Sequence, residues 1–192
     1  MAIKMGPILG FRGQRQGEWW VSVLLVTDAQ TDRHRLTFTP AGGVETSVAA
    51  TLLKAMPEGK PSLRAWRWDF AVRQTDAEQQ VSYEILGTSA EFWVPAKGSM
   101  PNSAYASCNG FSSAKVKNSC KVPQRLWVDL AAKHAERHYH LLMMGGDQVY
   151  ADSIWEVIPE LREWAGLPVE QAIKRLFTAD MARKVDRFYS EL

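Results

Sequence analysis

The sequence predicts an all-β sandwich followed by the start of an α/β domain. Up to about residue 97, apolar and polar residues alternate with a period of two, which is typical of half-buried strands. Turn-forming residues separate these segments, and several short strands with regular turns favour an antiparallel sandwich. The composition changes at Pro95–Ser99, after which a strand, a helix and a second strand follow. We therefore expect a sandwich domain over residues 1–97 and a second domain over residues 98–192.

The composition is that of a soluble globular protein. Of 192 residues, 46% are hydrophobic and 23% are charged, and the formal net charge is +2. Basic residues are interspersed with acidic ones, so we expect neither nucleic acid nor an acidic membrane as a partner. The N-terminal stretch predicts no signal peptide or membrane anchor, and the oligomeric state stays open. Two cysteines, Cys108 and Cys120, indicate reduced thiols and a cytoplasmic location rather than a disulfide.

Alternation defines the strands of the first domain. In AWRWDFAVRQ, the residues Trp66, Trp68, Phe70 and Val72 fall on one face. The other predicted strands are Glu18–Thr27, Arg35–Thr39, Val81–Ile85 and Glu91–Val94. The segment Glu45–Lys54 is compatible with a strand or with a short helix.

Five of the eight tryptophans lie in this domain: Trp19, Trp20, Trp66, Trp68 and Trp93. A row of exposed aromatic side chains would bind carbohydrate. Alternation with charged residues is, however, what a face packed between two sheets requires. We favour the packing role, and carbohydrate binding is the weakest of the functions considered.

The second domain begins with a strand–helix–strand pattern. Ser103–Cys108 predicts a strand, residues 109–122 a loop, Pro123–Arg137 a helix with Leu126, Leu130 and Ala131 on one side, and Tyr139–Met144 a strand. This order favours a βαβ unit with parallel strands. Because carboxyl ends of neighbouring parallel strands meet at one sheet edge, Cys108 and Asp147 are expected in one crevice.

The remainder of the chain has a helical period. Ser153–Trp164 predicts an amphipathic helix, and Val169–Phe177 predicts a second one. Thr178 is a plausible N-cap of a third helix that runs to about Tyr189.

The turn after the last predicted strand, GGDQVYAD, carries the strongest chemical signal. Asp147 offers carboxylate oxygens, Tyr150 a phenol oxygen that favours ferric iron, and Cys108 a thiolate that favours iron or zinc. Together they suggest a redox-capable metal used as a Lewis acid, polarising a phosphoryl oxygen or activating water. Singly, each residue has an ordinary alternative: a helix cap, a core aromatic and a small core residue, respectively. Their convergence at one edge favours the metal site.

Other candidates carry weaker signals. His134, His138 and His140 have the spacing of a possible metal cluster, but a solvated helix end is favoured. Asp152 is either a second-layer residue of the metal site or, as we favour, the cap of the helix that follows. Asn109 is a further second-layer candidate.

The segments AYASCNGF and LLMMGGDQVYAD resemble the beginning of the catalytic domain of PhoD-like metallophosphatases, the alkaline phosphatase D family. The resemblance implies a β-sandwich and then an α/β metallophosphoesterase domain, four-layered α/β/β/α when complete, of which residues 98–192 would be the first part. It implies Cys108, Asp147 and Tyr150 as metal ligands, iron (ferric) and calcium as the metals, with other divalent metals possible, and hydrolysis of a small-molecule phosphate mono- or diester.

The sequence departs from that family after Tyr150. The family continues with a motif resembling WDDHD and later with further Asn, Asp and His ligands, whereas here no histidine follows His140. We therefore expect a truncated catalytic domain with an incomplete metal site. A non-catalytic fragment or interaction module is the alternative to an enzyme.

Overall fold

The structure is a computed structural model. It describes residues 3–28, 34–56, 62–111 and 114–191. The chain divides into a first compact unit, Met1–Tyr105 with Gln124–Met143, and a second, Ala106–Pro123 with Met144–Leu192. Within the described ranges, no helix is both long and apolar enough to span a membrane.

Two antiparallel four-stranded sheets make up most of the first unit. One sheet has the order β1-β2-β6-β5, with strands β1 Ile3–Arg15, β2 Glu18–Asp28, β6 Leu63–Arg73 and β5 Thr51–Met56. The other has the order β4-β3-β7-β8, with strands β4 Thr46–Ala49, β3 Arg35–Pro40, β7 Gln79–Ile85 and β8 Thr88–Val94.

The inward faces of both sheets share one hydrophobic core. Buried side chains of β2, β3, β6, β7 and β8 form a single cluster, as the predicted sandwich requires. Trp19, Trp66 and Trp68 are almost fully buried in it, so the predicted packing role of these tryptophans is confirmed. The indole N–H of Trp66 donates to Thr27 Oγ1 at 3.1 Å, so its polar atom is satisfied inside the core.

The strands that alternation predicts are present, and the antiparallel, β-rich architecture is confirmed. The ambiguous segment Glu45–Lys54 forms parts of two strands, β4 and β5. Strand β1 was not predicted, because Pro7 and several glycines interrupt its pattern. It lies at the edge of its sheet and contains register shifts, and these are positions where proline and glycine are tolerated.

The predicted strand–helix–strand segment is also present. It comprises β9 Ser103–Ser107, α1 Ala114–Ser119, α2 Arg125–Glu136 and β10 Leu141–Gly145, with β9 beside β10 in a two-stranded sheet. The His140 N–H donates to Asn102 O before the strands, and the Asn109 N–H donates to Asp147 O beyond them. Because partners advance in the same direction along both strands, β9 and β10 run parallel.

Two details of this segment differ from the prediction. Residues 109–122 were expected to be a loop, but the helix-favouring run Ala-Lys-Val-Lys forms the short helix α1. The helix predicted over Pro123–Arg137 begins two residues later, as α2 Arg125–Glu136; no residue of it is buried, and Leu126 is 83% exposed.

Two of the three helices predicted after Tyr150 are shorter than their periodicity indicates. The expected helix Ser153–Trp164 divides into α3 Ile154–Val157 and α4 Pro159–Ala165, because Pro159 cannot continue the helix and occupies the first turn of the next. The expected helix Val169–Phe177 is reduced to α5 Val169–Ala172. Helix α6 spans Ala179–Glu191, and Thr178 Oγ1 accepts from the Met181 N–H at 3.2 Å, as predicted for an N-cap.

A small core holds these helices together. Ile154, Ile158, Leu161 and Met181 are buried in it. Lys184 forms ion pairs with Glu160 and with Asp180 at the surface.

Trp68→Ala should reveal how strongly the sandwich depends on its core. Trp68 is 1% exposed, and its indole N–H donates to His34 O at 3.1 Å. We expect a loss of about 3–5 kcal/mol in the free energy of unfolding, because the large cavity cannot close fully. Urea unfolding followed by far-UV circular dichroism measures it. Val44→Ala, at a side chain 82% exposed, should change stability by less than about 0.5 kcal/mol; similar losses for both variants would contradict this account.

Candidate metal site

The ends of β9 and β10 bring Cys108 and Asp147 together in the second unit. The Cys108 N–H donates to Gly145 O at 3.2 Å, and the Asn109 N–H donates to Asp147 O at 2.8 Å. Parallel pairing thus continues through the two turns in which the candidate ligands lie. The backbones of Cys108 and Asp147 thus lie at one end of the two-stranded sheet, as the parallel pairing predicts.

Tyr150 joins these two residues through the sulfur of Cys108. The Tyr150 hydroxyl lies close enough to Cys108 to interact with its thiol, and Ser107 Oγ lies 3.5 Å from the sulfur. Cys108 is exposed, so it is not the small core residue of the ordinary alternative. Thiol, carboxylate and phenol are therefore neighbours at one surface.

Two glycines make room for this arrangement. A Cβ on Gly110 would lie 2.6 Å from the ring of Tyr150, and a Cβ on Gly146 would lie 2.5 Å from Ser107 Oγ and 3.3 Å from Cys108 Sγ. Gly146 also has a φ of +65°, which other residues seldom adopt. Each glycine is thus required where the backbone passes closest to a candidate ligand.

The backbone of Cys108 is strained. Its φ is +64°, in the left-handed region that costs a non-glycine residue about 1 kcal/mol or more. Such conformations persist where the surrounding structure holds them, often at functional sites. Nothing in the sequence reveals this feature, since cysteine gives no signal for positive φ.

The electrostatics of the site distinguish the thiol from the phenol. The pKa of Cys108 is lowered, chiefly by the hydrogen bond with Ser107 and then by a backbone hydrogen bond at Asp147. The pKa of Tyr150 is raised, first by burial and then by the negative charge of Cys108. The site therefore eases deprotonation of the thiol and disfavours deprotonation of the phenol.

A cavity of about 810 Å³ opens beside Asp147 and Tyr150. Asp152 lines it together with side chains of α3, α4 and α6. Helix α3 has Ser153 as its N-cap and no side-chain cap hydrogen bond, so the favoured role of Asp152 as a helix cap is wrong. The second-layer roles of Asn109 and Asp152 stay predictions.

The three histidines have another environment, in the first unit. His138 Nδ1 lies 2.5 Å from Glu78 Oε1, and His140 Nε2 lies 2.8 Å from Glu78 Oε2. The ring of His138 stacks on Trp93 with centroids 3.5 Å apart. His140 has a side chain only 6% exposed, so the favoured interpretation as a solvated helix end is wrong for it. The spacing of the histidines in the sequence does not indicate that Glu78 is their partner.

Within the described ranges, no group of three or more histidine, cysteine, aspartate or glutamate side chains is arranged to hold a metal ion. The Cys108, Asp147 and Tyr150 set includes only two residues of those types. Cys108 and Cys120 are both free thiols, as expected.

Comparison with known proteins relates the chain to phosphatases. A family model described as PhoD related phosphatase matches residues 70–190. An uncharacterised protein of Saccharomyces cerevisiae is 33% identical over 132 residues, which cover 66% of this chain and 18% of that protein. The chain therefore spans less than a fifth of the length of this curated relative. No solved structure matches the chain.

Gly110→Ala should disturb the contact between the two turns. The added Cβ meets the Tyr150 ring, and overpacking of this kind costs about 1–3 kcal/mol. We expect the Asn109 amide to exchange with deuterium about tenfold faster or more, since each 1.4 kcal/mol of lost protection is about tenfold. Gly166→Ala is the matched control, because its Cβ would meet backbone atoms only at 3.5 Å and beyond. Unchanged exchange at Asn109 in Gly110→Ala would refute the packing role of this glycine.

Glu78→Gln should destabilise the first unit in a pH-dependent manner. Burial acts to raise the pKa of Glu78, but the hydrogen bonds from His138 and His140 prevail and lower it below 4.5. A carboxylate whose pKa is lowered on folding stabilises the fold at pH values above its pKa in the unfolded chain. That contribution is lost as the pH falls through the folded-state pKa. We expect Glu78→Gln to lower the free energy of unfolding by about 1 kcal/mol at about pH 6, a figure reduced for the partial exposure of the carboxylate. This loss should shrink below about pH 4.

Chemical unfolding at several pH values measures this deficit. The exposed Glu45→Gln serves as the control and should show no comparable pH dependence. A Glu78→Gln deficit that is constant from about pH 6 to about pH 3 would exclude the carboxylate–histidine interaction as its cause.

Proposed function

Because the chain belongs to the family of PhoD-related phosphatases, we propose that it takes part in metal-dependent hydrolysis of phosphate mono- or diesters, with Cys108, Asp147 and Tyr150 as metal ligands. The matched residues 70–190 include all three. The observation that carries the proposal is their convergence at the paired ends of β9 and β10. Family membership supports phosphatase chemistry, and the geometry supports the place.

The donor set suits a metal ion. A thiolate and a phenol oxygen favour iron, and a carboxylate suits both iron and calcium. The two glycines at Gly110 and Gly146 leave space beside the donors that a side chain would fill. We propose iron, with calcium nearby, as the resident metals. When bound, such an ion would polarise a phosphoryl oxygen and activate water.

The charges of the site favour the same conclusion. Cys108 with its lowered pKa, Asp147 and Asp152 place negative charge where a phosphate would lie. Among the described residues that line the adjoining cavity, none is lysine, arginine or histidine. A phosphate anion would be repelled by this surface unless a cation neutralised it.

Each of the three proposed ligands would then have its own role. Cys108, after β9, and Asp147, after the neighbouring strand β10, would hold the cation between them. The backbone hydrogen bond from Asn109 to Asp147 would fix the distance between these two ligands. Tyr150 would supply the third donor after loss of its proton. The substrate phosphate would lie in front of this edge, open to in-line attack by water.

The proposal extends to the fold around the site. We propose that β9, α2 and β10 are the first βαβ element of a metallophosphoesterase domain, of which the complete form has four α/β/β/α layers. Parallel pairing of β9 and β10 supports this assignment. The matched residues make up 18% of the yeast protein, which is therefore much longer than this chain. Any activity of such a longer protein is part of the proposal.

Asp147→Asn and Tyr150→Phe test the metal site directly. We expect the purified chain to bind ferric iron with a visible tyrosinate charge-transfer band, and to bind it at least about tenfold more weakly in each variant, since first-layer changes exceed the 10–100-fold effects of outer partners. Tyr150→Phe should also abolish the band. Titration with ferric citrate, followed by absorbance and by elemental analysis, measures both effects.

Tyr139→Phe is the matched control, since Tyr139 lies before β10 in the first unit. It should leave both affinity and absorbance unchanged. A chain that binds no iron, zinc or calcium would overturn the metal site. Metal binding without hydrolysis of bis(4-nitrophenyl) phosphate would leave the residues assigned but would show that this chain alone is not catalytic.

A further inference from the structure

The cavity beside Asp147 and Tyr150 has a polar end and an aromatic wall. Trp155, Trp164, Phe177 and Tyr189 line the wall, and the two candidate ligands lie at the polar end. We infer that this cavity binds the apolar, aromatic group of a phosphoester whose phosphate lies at the metal site. The inference rests on the proposed function and adds the class of substrate to it.

The size of the cavity fits such a group. Its volume of about 810 Å³ is within the range of about 300–1,000 Å³ typical of small-molecule sites. A bicyclic aromatic ring fills only part of that space and leaves room for the linking phosphate oxygen. A small polyol would leave most of the aromatic wall uncovered.

The chemistry of the walls favours a neutral aromatic ligand. Flat aromatic side chains stack or meet edge to face with a ligand ring, which adds to the gain from burying apolar surface. Aliphatic residues, among them Ile154 and Leu161, also line the cavity. Because no described lining residue is a lysine, arginine or histidine, a second anionic group on the ligand would find no cationic partner here.

Part of the wall is held in place and part is open to a ligand. The indole N–H of Trp164 donates to Ala172 O at 2.9 Å, and its ring lies 6.3 Å from that of Phe177. Trp155 and Phe177 are 48% and 53% exposed. Their exposed faces are the surface that an aromatic group would cover, and truncating them should leave the small core of the unit intact.

Two residues connect the candidate metal site with the aromatic cavity. Asp147 and Tyr150 belong both to the candidate metal site and to the cavity lining. A phosphoester bound with its phosphate at these residues would direct its organic group along the aromatic wall. Specificity for that group would thus arise within one helical unit, from α3, α4, α6 and the segment before α6.

The cavity can be tested without metal or phosphate by titrating the metal-free chain with 2-naphthol. We expect saturable binding, weakened about threefold to tenfold by Trp155→Ala and by Phe177→Ala, the effect of losing one aromatic contact. Phe177→Leu, which keeps apolar bulk, should fall between wild type and Phe177→Ala. Leu176→Ala is the control, because Leu176 is 80% exposed and is not among the lining residues.

Hydrolysis supplies the second measurement. With metal added, the ratio of kcat/KM for 2-naphthyl phosphate to that for glycerol phosphate should exceed about tenfold, and should decrease in Trp155→Ala and Phe177→Ala but not in Leu176→Ala. Equal hydrolysis of both esters with no binding of 2-naphthol would overturn the cavity inference alone. Binding of 2-naphthol with no hydrolysis of either ester would overturn the inference that the cavity holds a substrate group, whereas the metal site of the proposed function is tested separately by iron binding.

Discussion

The parallel pairing of β9 with β10 is the constraint on which the candidate site depends. It brings Cys108 and Asp147 to one edge although α1, α2 and β10 lie between them in the chain. The pairing does not stop where the strands end, because Asn109 donates to Asp147 O beyond both of them. This extension costs a left-handed φ at Cys108 and needs a glycine at position 146. The regular register of the strands thus determines the position of an irregular turn.

Most of the sandwich follows from hydrophobic alternation because its core is built by one face of each strand. Trp66, Trp68, Phe70 and Val72 were predicted to share a face, and all four are buried. Strand β1 was not predicted because Pro7 and the glycines around it normally indicate the end of a strand. An edge strand tolerates them. The first helix after Tyr150 was predicted too long, since a period of 3.6 persists across Pro159 although the backbone hydrogen bonds do not.

The residues of the site were accessible to sequence reasoning, but its geometry was not. Residue type and topology sufficed to select Cys108, Asp147 and Tyr150 as neighbours. The strain at Cys108 and the closeness of Gly110 to the Tyr150 ring depend on tertiary structure, which no local pattern encodes. The aromatic wall was missed for a related reason: Trp155, Phe177 and Tyr189 belong to separate segments and share a cavity only after the chain has folded.

The side chains of the candidate site also act on one another electrostatically. Cys108 and Asp147 repel each other electrostatically, and each contributes to raising the pKa of Tyr150. These neighbouring charges therefore favour the protonated phenol. A metal ion held by the same three donors would take the place of this proton, since a phenol oxygen binds such an ion strongly only after deprotonation. Deprotonation of Tyr150 and binding of the proposed metal would thus be coupled.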